Sequence, residues 1–279
     1  MSPRTLLLTA MAMLAFAGNS LLCRAALRDS QIDPASFTSL RLLAGAMTLW
    51  LLLSLRRGSS LPAGNWYGAL TLFTYAACFS YAYQHLDAGA GALLLFGAVQ
   101  LSMIFWGLVK GERLRPGQTA GVVLATVGLV ALLLPGTSAP PVSASLLMLL
   151  AGGAWGAYSL LGKGAADPLA ATAGNFIRTL PLVMLLCMLA LNELEWDSAG
   201  VTYALLSGGL TSGVGYAIWY AAMPGLAAIQ AASVQLSVPL LTALAGSLLL
   251  GEPLTGTVVI AGLAILGGIA LALRFKYRN

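Results

Sequence analysis

Phe16, Asn19 and Ser20 lie within Ala15–Arg24, and Trp155, Tyr158 and Ser159 take the equivalent places within Ala154–Lys163. In each stretch an aromatic ring and a hydroxyl share one helical face, through Phe16, Ser20 and Cys23 in the first and Trp155, Ser159 and Gly162 in the second. A further pattern places Thr74, Cys78, Tyr81 and His85 at i, i+4, i+7 and i+11, a single narrow face, and Ser212, Tyr216, Trp219 and Met223 repeat it. Gln100, Gln235 and Thr242 add polar groups to runs that are otherwise apolar. These groups bind and do not break bonds. Aromatic walls with a few hydrogen-bonding contacts suit an indole or phenyl ring bearing polar substituents. Lys163, at the end of the second stretch, is the first cation to test against a carboxylate or as a gate residue.

Residues for covalent chemistry are missing. There is no HExxH, no GxSxG, no buried aspartate pair and no cluster with metal-ligand spacing, so neither enzymatic activity nor a metal or cofactor is expected. Cys23, Cys78 and Cys187 lie inside apolar runs without CxxC spacing and read as small packing residues. His85 stands beside Asp87 near the end of its run; it reads either as a pH-sensitive proton carrier or as a solvated or packed helix-end residue.

The elements that position these side chains follow from composition. Apolar residues make up 59% of the 279 residues and charged residues 8%, against roughly 25% charged in a soluble domain. A water-facing surface cannot be built from this. The pattern predicts ten membrane-spanning helices: Arg4–Leu27, Pro34–Leu55, Pro62–Leu86, Gly89–Val109 and Pro116–Pro135, then Val142–Lys163, Pro168–Leu191, Ser198–Met223, Leu226–Leu250 and Leu254–Arg274. Several open on proline, whose missing N–H costs nothing at a helix start. The net charge of +5 does not point to nucleic acid, because the basic residues sit singly or in small groups at helix ends. No filter-like loop interrupts a span, as a channel would require.

The two aromatic stretches are offset by 139 residues, and the Gly-Glu-x-Leu turns at Gly111 and Gly251 by 140. Two landmarks with one period divide the chain into repeats, 1–138 and 139–279. The N-terminal run therefore reads as a span with an internal counterpart and not as a cleaved leader. Arg4, Arg56, Arg57, Lys110, Arg113, Arg115, Lys163, Arg274, Lys276 and Arg278 fall on the side of both termini, and only Arg24 and Arg28 on the other, which places both termini in the cytoplasm. Five spans per repeat is an odd number, so the second repeat enters the membrane from the opposite side. Inverted repeats are the architecture of secondary transporters, in which two like halves alternately open one central site. Each chain holds both halves, so a monomer suffices.

Bends are expected at Pro181, at Pro224-Gly225, at Pro239 and, where the first half lacks that proline, at Gly97. Arg41 and Arg178, the deepest formal charges, read either as attractors of a substrate carboxylate or, because they lie toward opposite faces of the membrane, as side chains that snorkel to the interface or bond helix-end carbonyls, the expected role. Every acid lies near a helix end or in a loop, so facilitated flux is expected over proton coupling.

Ten spans in two halves, the aromatic and small-residue stretches in spans one and six, the arginines of spans two and seven, and Gly-Glu-x-Leu after spans four and nine resemble the EamA-type branch of the drug/metabolite transporter superfamily, over essentially the whole chain. Within it the chain is most similar to the YddG-type exporters. That resemblance implies export of aromatic amino acids and related amphipathic metabolites across a bacterial inner membrane.

Overall fold

The computed structural model describes residues 2–56, 61–134, 140–162, 165–226 and 228–276, and among these it is helical with no strand. Seven helices come first: α1 (Pro3–Asp29), α2 (Pro34–Leu55), α3 (Trp66–Tyr83), α4 (Ala88–Val109), α5 (Pro116–Leu133), α6 (Val142–Gly162) and α7 (Pro168–Leu189). A composite rod follows, made of α8 (Ser198–Leu205), a π-helical segment (Leu206–Val214) and α9 (Gly215–Ala222); then come α10 (Ala228–Gln235), α11 (Ser237–Leu250) and α12 (Gly256–Lys276). Among the described residues eight segments are long and apolar enough to cross a membrane. Of the ten expected spans, α3 and the composite rod are the two outside that set. The first is short and carries Trp66, Tyr67, Tyr75, Tyr81 and Tyr83, and the second is interrupted by its π segment.

Helix starts follow local chemistry. Pro34, Pro116 and Pro168 occupy first turns, and the Asp33 carboxylate accepts the free N–H groups of Ala35 and Ser36 at 2.8 and 3.0 Å. Pro62 does not open a helix. Gly64 adopts φ 83°, and Asn65 caps α3 by accepting from the Gly68 amide at 2.7 Å.

The interruptions also have causes. At Gly208 a Cβ would lie 2.0 Å from the Arg41 carbonyl oxygen, so glycine lets the wide π turn press against the α2 backbone. Sequence periodicity treats this stretch as an ordinary α-helix; π turns inside helices are rare and frequent at functional sites. The expected ninth span is broken at Leu236, between α10 and α11. Pro239 has no N–H for the Gln235 carbonyl, and its ring crowds that turn. Pro224 and Gly225 form a 3-10 turn against Thr5. By contrast α7 runs continuously through the exposed Pro181 and α4 through Gly97, where Leu129 packs closely.

In the bundle α5 lies on α12, α2 on α7 and on the π segment, α3 on α6 and α7, α4 on α6 and α11, and α1 on α9 and α11. Backbones nearly touch where α5 meets α12: a Cβ on Gly121 would sit 2.5 Å from the Gly268 carbonyl oxygen, and the reverse holds equally. Close helix packing through small residues is the usual means of association in lipid, where burial of apolar surface gives no advantage. The outside is correspondingly apolar, with Leu7, Leu14, Trp50, Leu185, Leu248 and Leu263 all exposed.

Candidate functional site

Asn19 of α1 is buried at the bundle centre, and its amide must be satisfied there. Its Oδ1 accepts from the Ser207 hydroxyl at 2.7 Å and from the Thr211 hydroxyl at 3.3 Å, while Nδ2 donates to the Tyr75 hydroxyl at 3.3 Å. The π segment supplies the two hydroxyls, so Asn19 joins α1, α3 and the composite rod in one polar knot.

An aromatic network extends from Tyr75. Its ring centroid is 4.9 Å from Trp155 of α6, and Trp155 stacks on Tyr158 at 5.4 Å and 28° and on Tyr216 of α9 at 5.4 Å and 19°. Tyr216 meets Phe16 at 5.8 Å and Phe176 of α7 at 6.0 Å, and Phe16 reaches Trp219 at 6.1 Å. The Tyr158 hydroxyl donates to Thr172, which donates to Tyr220. Such an arrangement can hold a flat ring by stacking and read its substituents by hydrogen bonds.

Phe16, Asn19, Trp155, Tyr158, Tyr216 and Trp219 are thus brought together. Ser20 is buried, with its hydroxyl against that of Tyr83; Ser159 returns its hydroxyl to the Trp155 carbonyl at 2.8 Å. Gln100 is buried on α4, and Gln235 is half-buried at the end of α10. On α3 the buried face carries Leu72, Tyr75, Phe79 and Tyr83, whereas Thr74, Cys78 and Tyr81 are half-buried and His85 is exposed just beyond the helix. Both stripes satisfy helical spacing, so periodicity alone cannot choose between faces one residue apart. Lys163 lies outside the described residues.

Arg41 departs from the snorkelling expectation. It is 2% exposed, and its Cζ sits 5.0, 5.7 and 5.8 Å from the ring centroids of Phe79, Tyr75 and Phe37. These aromatic faces stabilise a cation within the core. Arg178 meets its expectation, donating to the carbonyls of Ala63 and Gly174 at 2.5 and 3.0 Å.

A cluster not anticipated from sequence closes the end of the bundle where α1 finishes. Arg24 Nε donates to Glu252 Oε1 at 2.7 Å, Nη2 to Asp87 Oδ1 at 3.2 Å, and Nη1 to the carbonyls of Tyr83 and Gln84 at 3.0 and 3.1 Å. Glu252, only 6% exposed, also accepts from the Ala88 amide at 2.7 Å. Arg24 of α1, Asp87 ahead of α4 and Glu252 beyond α11 are thereby tied together. The only signal was that Arg24 and Glu252 each stand in a repeated motif. At the opposite end a cavity of ≈ 470 Å³ opens between the lead-in to α3, the end of α6 and the start of α7, with Asn175 among its lining residues. Tyr158 lies beside Asn175, so the aromatic network begins near that cavity.

Comparison with known proteins places this architecture. A family model described as the EamA-like transporter family matches residues 3–134 and again residues 142–274. An uncharacterized protein of Pseudomonas aeruginosa is 62% identical over 271 residues, covering 97% of this chain and 94% of the relative. An uncharacterized transporter of Archaeoglobus fulgidus is 28% identical over 97% of this chain and 98% of its own length, and the uncharacterized transporter YoaV of Bacillus subtilis is 23% identical over 85% and 86%. A protein of known crystal structure shares the fold with a TM-score of 0.70 at 21% identity, covering 99% of both chains. With apolar helices long enough to span a bilayer and a family match in each half, the chain belongs to the EamA-like transporter family and is a multi-pass membrane transporter.

Proposed function

We propose that the protein is an alternating-access exporter of aromatic and other hydrophobic amino acids in a bacterial inner membrane, with both termini cytoplasmic. The observation that carries this reading is the convergence of Tyr75, Trp155, Tyr216 and Phe16 around the Asn19 knot, which supplies ring-stacking surfaces and polar contacts at one place. Apolar spans alone would need neither.

The packing pattern supports division into two inverted halves. If α1 to α5 are exchanged with α6, α7, the composite rod, the α10–α11 rod and α12, each principal contact maps onto another. The α3–α6 contact becomes that of the composite rod with α1, the α4–α6 contact becomes α11 with α1, and α2–α7, α4–α11 and α5–α12 map onto themselves. Two successive family matches support the same division near residue 138. In this reading the Arg24–Glu252 cluster is the closed outer gate, and the cavity beside Asn175 faces the cytoplasm.

Flux is facilitative in this account. The one specific observation favouring proton coupling instead is the burial of Glu252 within its ion cluster. Purified protein in proteoliposomes preloaded with unlabelled tryptophan should accumulate labelled tryptophan by countertransport, equally with and without a pH gradient. Flux that requires the gradient would replace facilitation with proton coupling, and no tryptophan flux from folded protein would remove the substrate assignment.

A further inference from the structure

Arg41 holds a charge that its surroundings only partly satisfy. Nη2 donates to the Ala76 carbonyl at 3.0 Å, but Nη1 has no hydrogen-bond partner although the Tyr75 hydroxyl lies alongside. One turn earlier on α2, the hydroxyl of the fully buried Thr38 is also unpartnered. Among the described residues no carboxylate forms an ion pair with Arg41; the nearby stabilisation comes from ring faces. An unpaired guanidinium donor is costly in a dry core, and a site that retains one has its partner supplied from elsewhere.

The missing partner has a defined chemistry. A guanidinium presents parallel N–H groups matched to the two oxygens of a carboxylate. Position adds the rest: the Tyr75 ring lies 5.7 Å from the Arg41 Cζ and 4.9 Å from Trp155, so the cation adjoins the stacked aromatic wall. We propose that Arg41 is the anchor for the substrate carboxylate, with the Thr38 hydroxyl as a second donor, so that transported molecules must join a carboxylate to an apolar or aromatic group. This rests on the transport reading above and deepens it. It replaces Lys163 as the first cation to test, and it requires entry of the ligand to part the packed rings around Tyr75.

The test is inhibition of labelled-tryptophan countertransport by indole-3-propionate, which keeps the carboxylate and lacks the amine, and by tryptamine and tryptophanamide, which lack the carboxylate. Wild-type protein should bind the carboxylate competitor roughly 100-fold more tightly than either other compound, because a buried donor rejects a ligand that leaves it unpaired. Arg41→Gln should erase that preference, read in this variant from thermal shifts with the three competitors because loss of the anchor weakens tryptophan flux itself. Arg41→Lys should retain part of it, and Thr38→Val should weaken the carboxylate competitor by about 10-fold or more, the lower end of what one lost hydrogen bond to a charged group costs. If Arg41→Gln does not fold, the lysine and valine variants give the reading. If wild-type protein moves no tryptophan, the aromatic assignment fails separately, and the anchor is read from thermal shifts with leucine against leucinamide on the same variants. Equal affinity for carboxylate and amide ligands in wild-type protein, or a preference that survives in folded Arg41 variants, would overturn the proposal.

Discussion

Glu252→Ala is expected to abolish transport and to lower the stability of the folded protein by ~3–5 kcal/mol, the usual cost of leaving one member of a buried ion pair uncompensated. Arg24 is 7% exposed, and Glu252 both pairs with its Nε and binds the Ala88 amide. Removing the carboxylate therefore strands a cation and an amide together. Asp87 remains 3.2 Å from Nη2, but its side chain is 47% exposed and its pairing is correspondingly weaker. The loss should fall toward the lower end of the range. Glu252→Gln keeps an acceptor for Ala88 and should destabilise less while still opening the gate. Thermal unfolding in detergent and countertransport on the same preparations check both effects; full activity of Glu252→Ala would show that the cluster is neither gate nor brace.

Trp155→Ala carries the second large effect. Trp155 stacks on both Tyr158 and Tyr216 and meets Tyr75, so it is the ring through which the aromatic network is continuous. Aromatic pairs contribute about 0.5–1.5 kcal/mol each beyond area burial. Losing two such contacts with a bound indole corresponds to roughly a 5- to 150-fold rise in the apparent KM for tryptophan. The truncation also costs about 3–5 kcal/mol of packing, so Trp155→Phe is the control that keeps a ring. Concentration-dependent countertransport should show the alanine variant with the raised KM and the phenylalanine variant close to wild type. Equal KM for all three would remove Trp155 from the binding wall.

Much of this is legible in the sequence because membrane helices leave plain signals. Proline marked the starts of α2 and α7, and the repeated aromatic stretch identified Phe16, Asn19, Trp155 and Tyr158, which join one network through Tyr75 and Tyr216. Gly152 and Gly156 let α6 approach α4, where a Cβ on either would crowd Leu95 or Ser102. What failed to show depended on tertiary choice. Tyr75 and Tyr81 both sit on stripes of helical period, and only the packing of α3 on α6 decides that Tyr75 faces Trp155. Arg41 was expected at the interface because it and Arg178 lie toward opposite faces of the membrane; the compensating rings of Phe37, Tyr75 and Phe79 come partly from another helix and are invisible to local reading. The π turn at Leu206–Val214 depends on contact with α2 as much as on its glycines.

In the proposed alternating-access cycle, the ion cluster of Arg24 and Glu252 must open once per turnover. A Cβ on Gly246 would lie 3.1 Å from that of Ala88, tighter than the roughly 3.5–4.5 Å found across disulfides, so the two helices need only part by a few tenths of an ångström to accept one. Ala88→Cys and Gly246→Cys, introduced together after replacing Cys23, Cys78 and Cys187 with alanine, should therefore form a bond that locks α4 to α11. Oxidised protein should show no tryptophan countertransport, dithiothreitol should restore it, and each single cysteine variant should remain active. Full flux from protein shown to be quantitatively cross-linked would contradict alternating access through this gate.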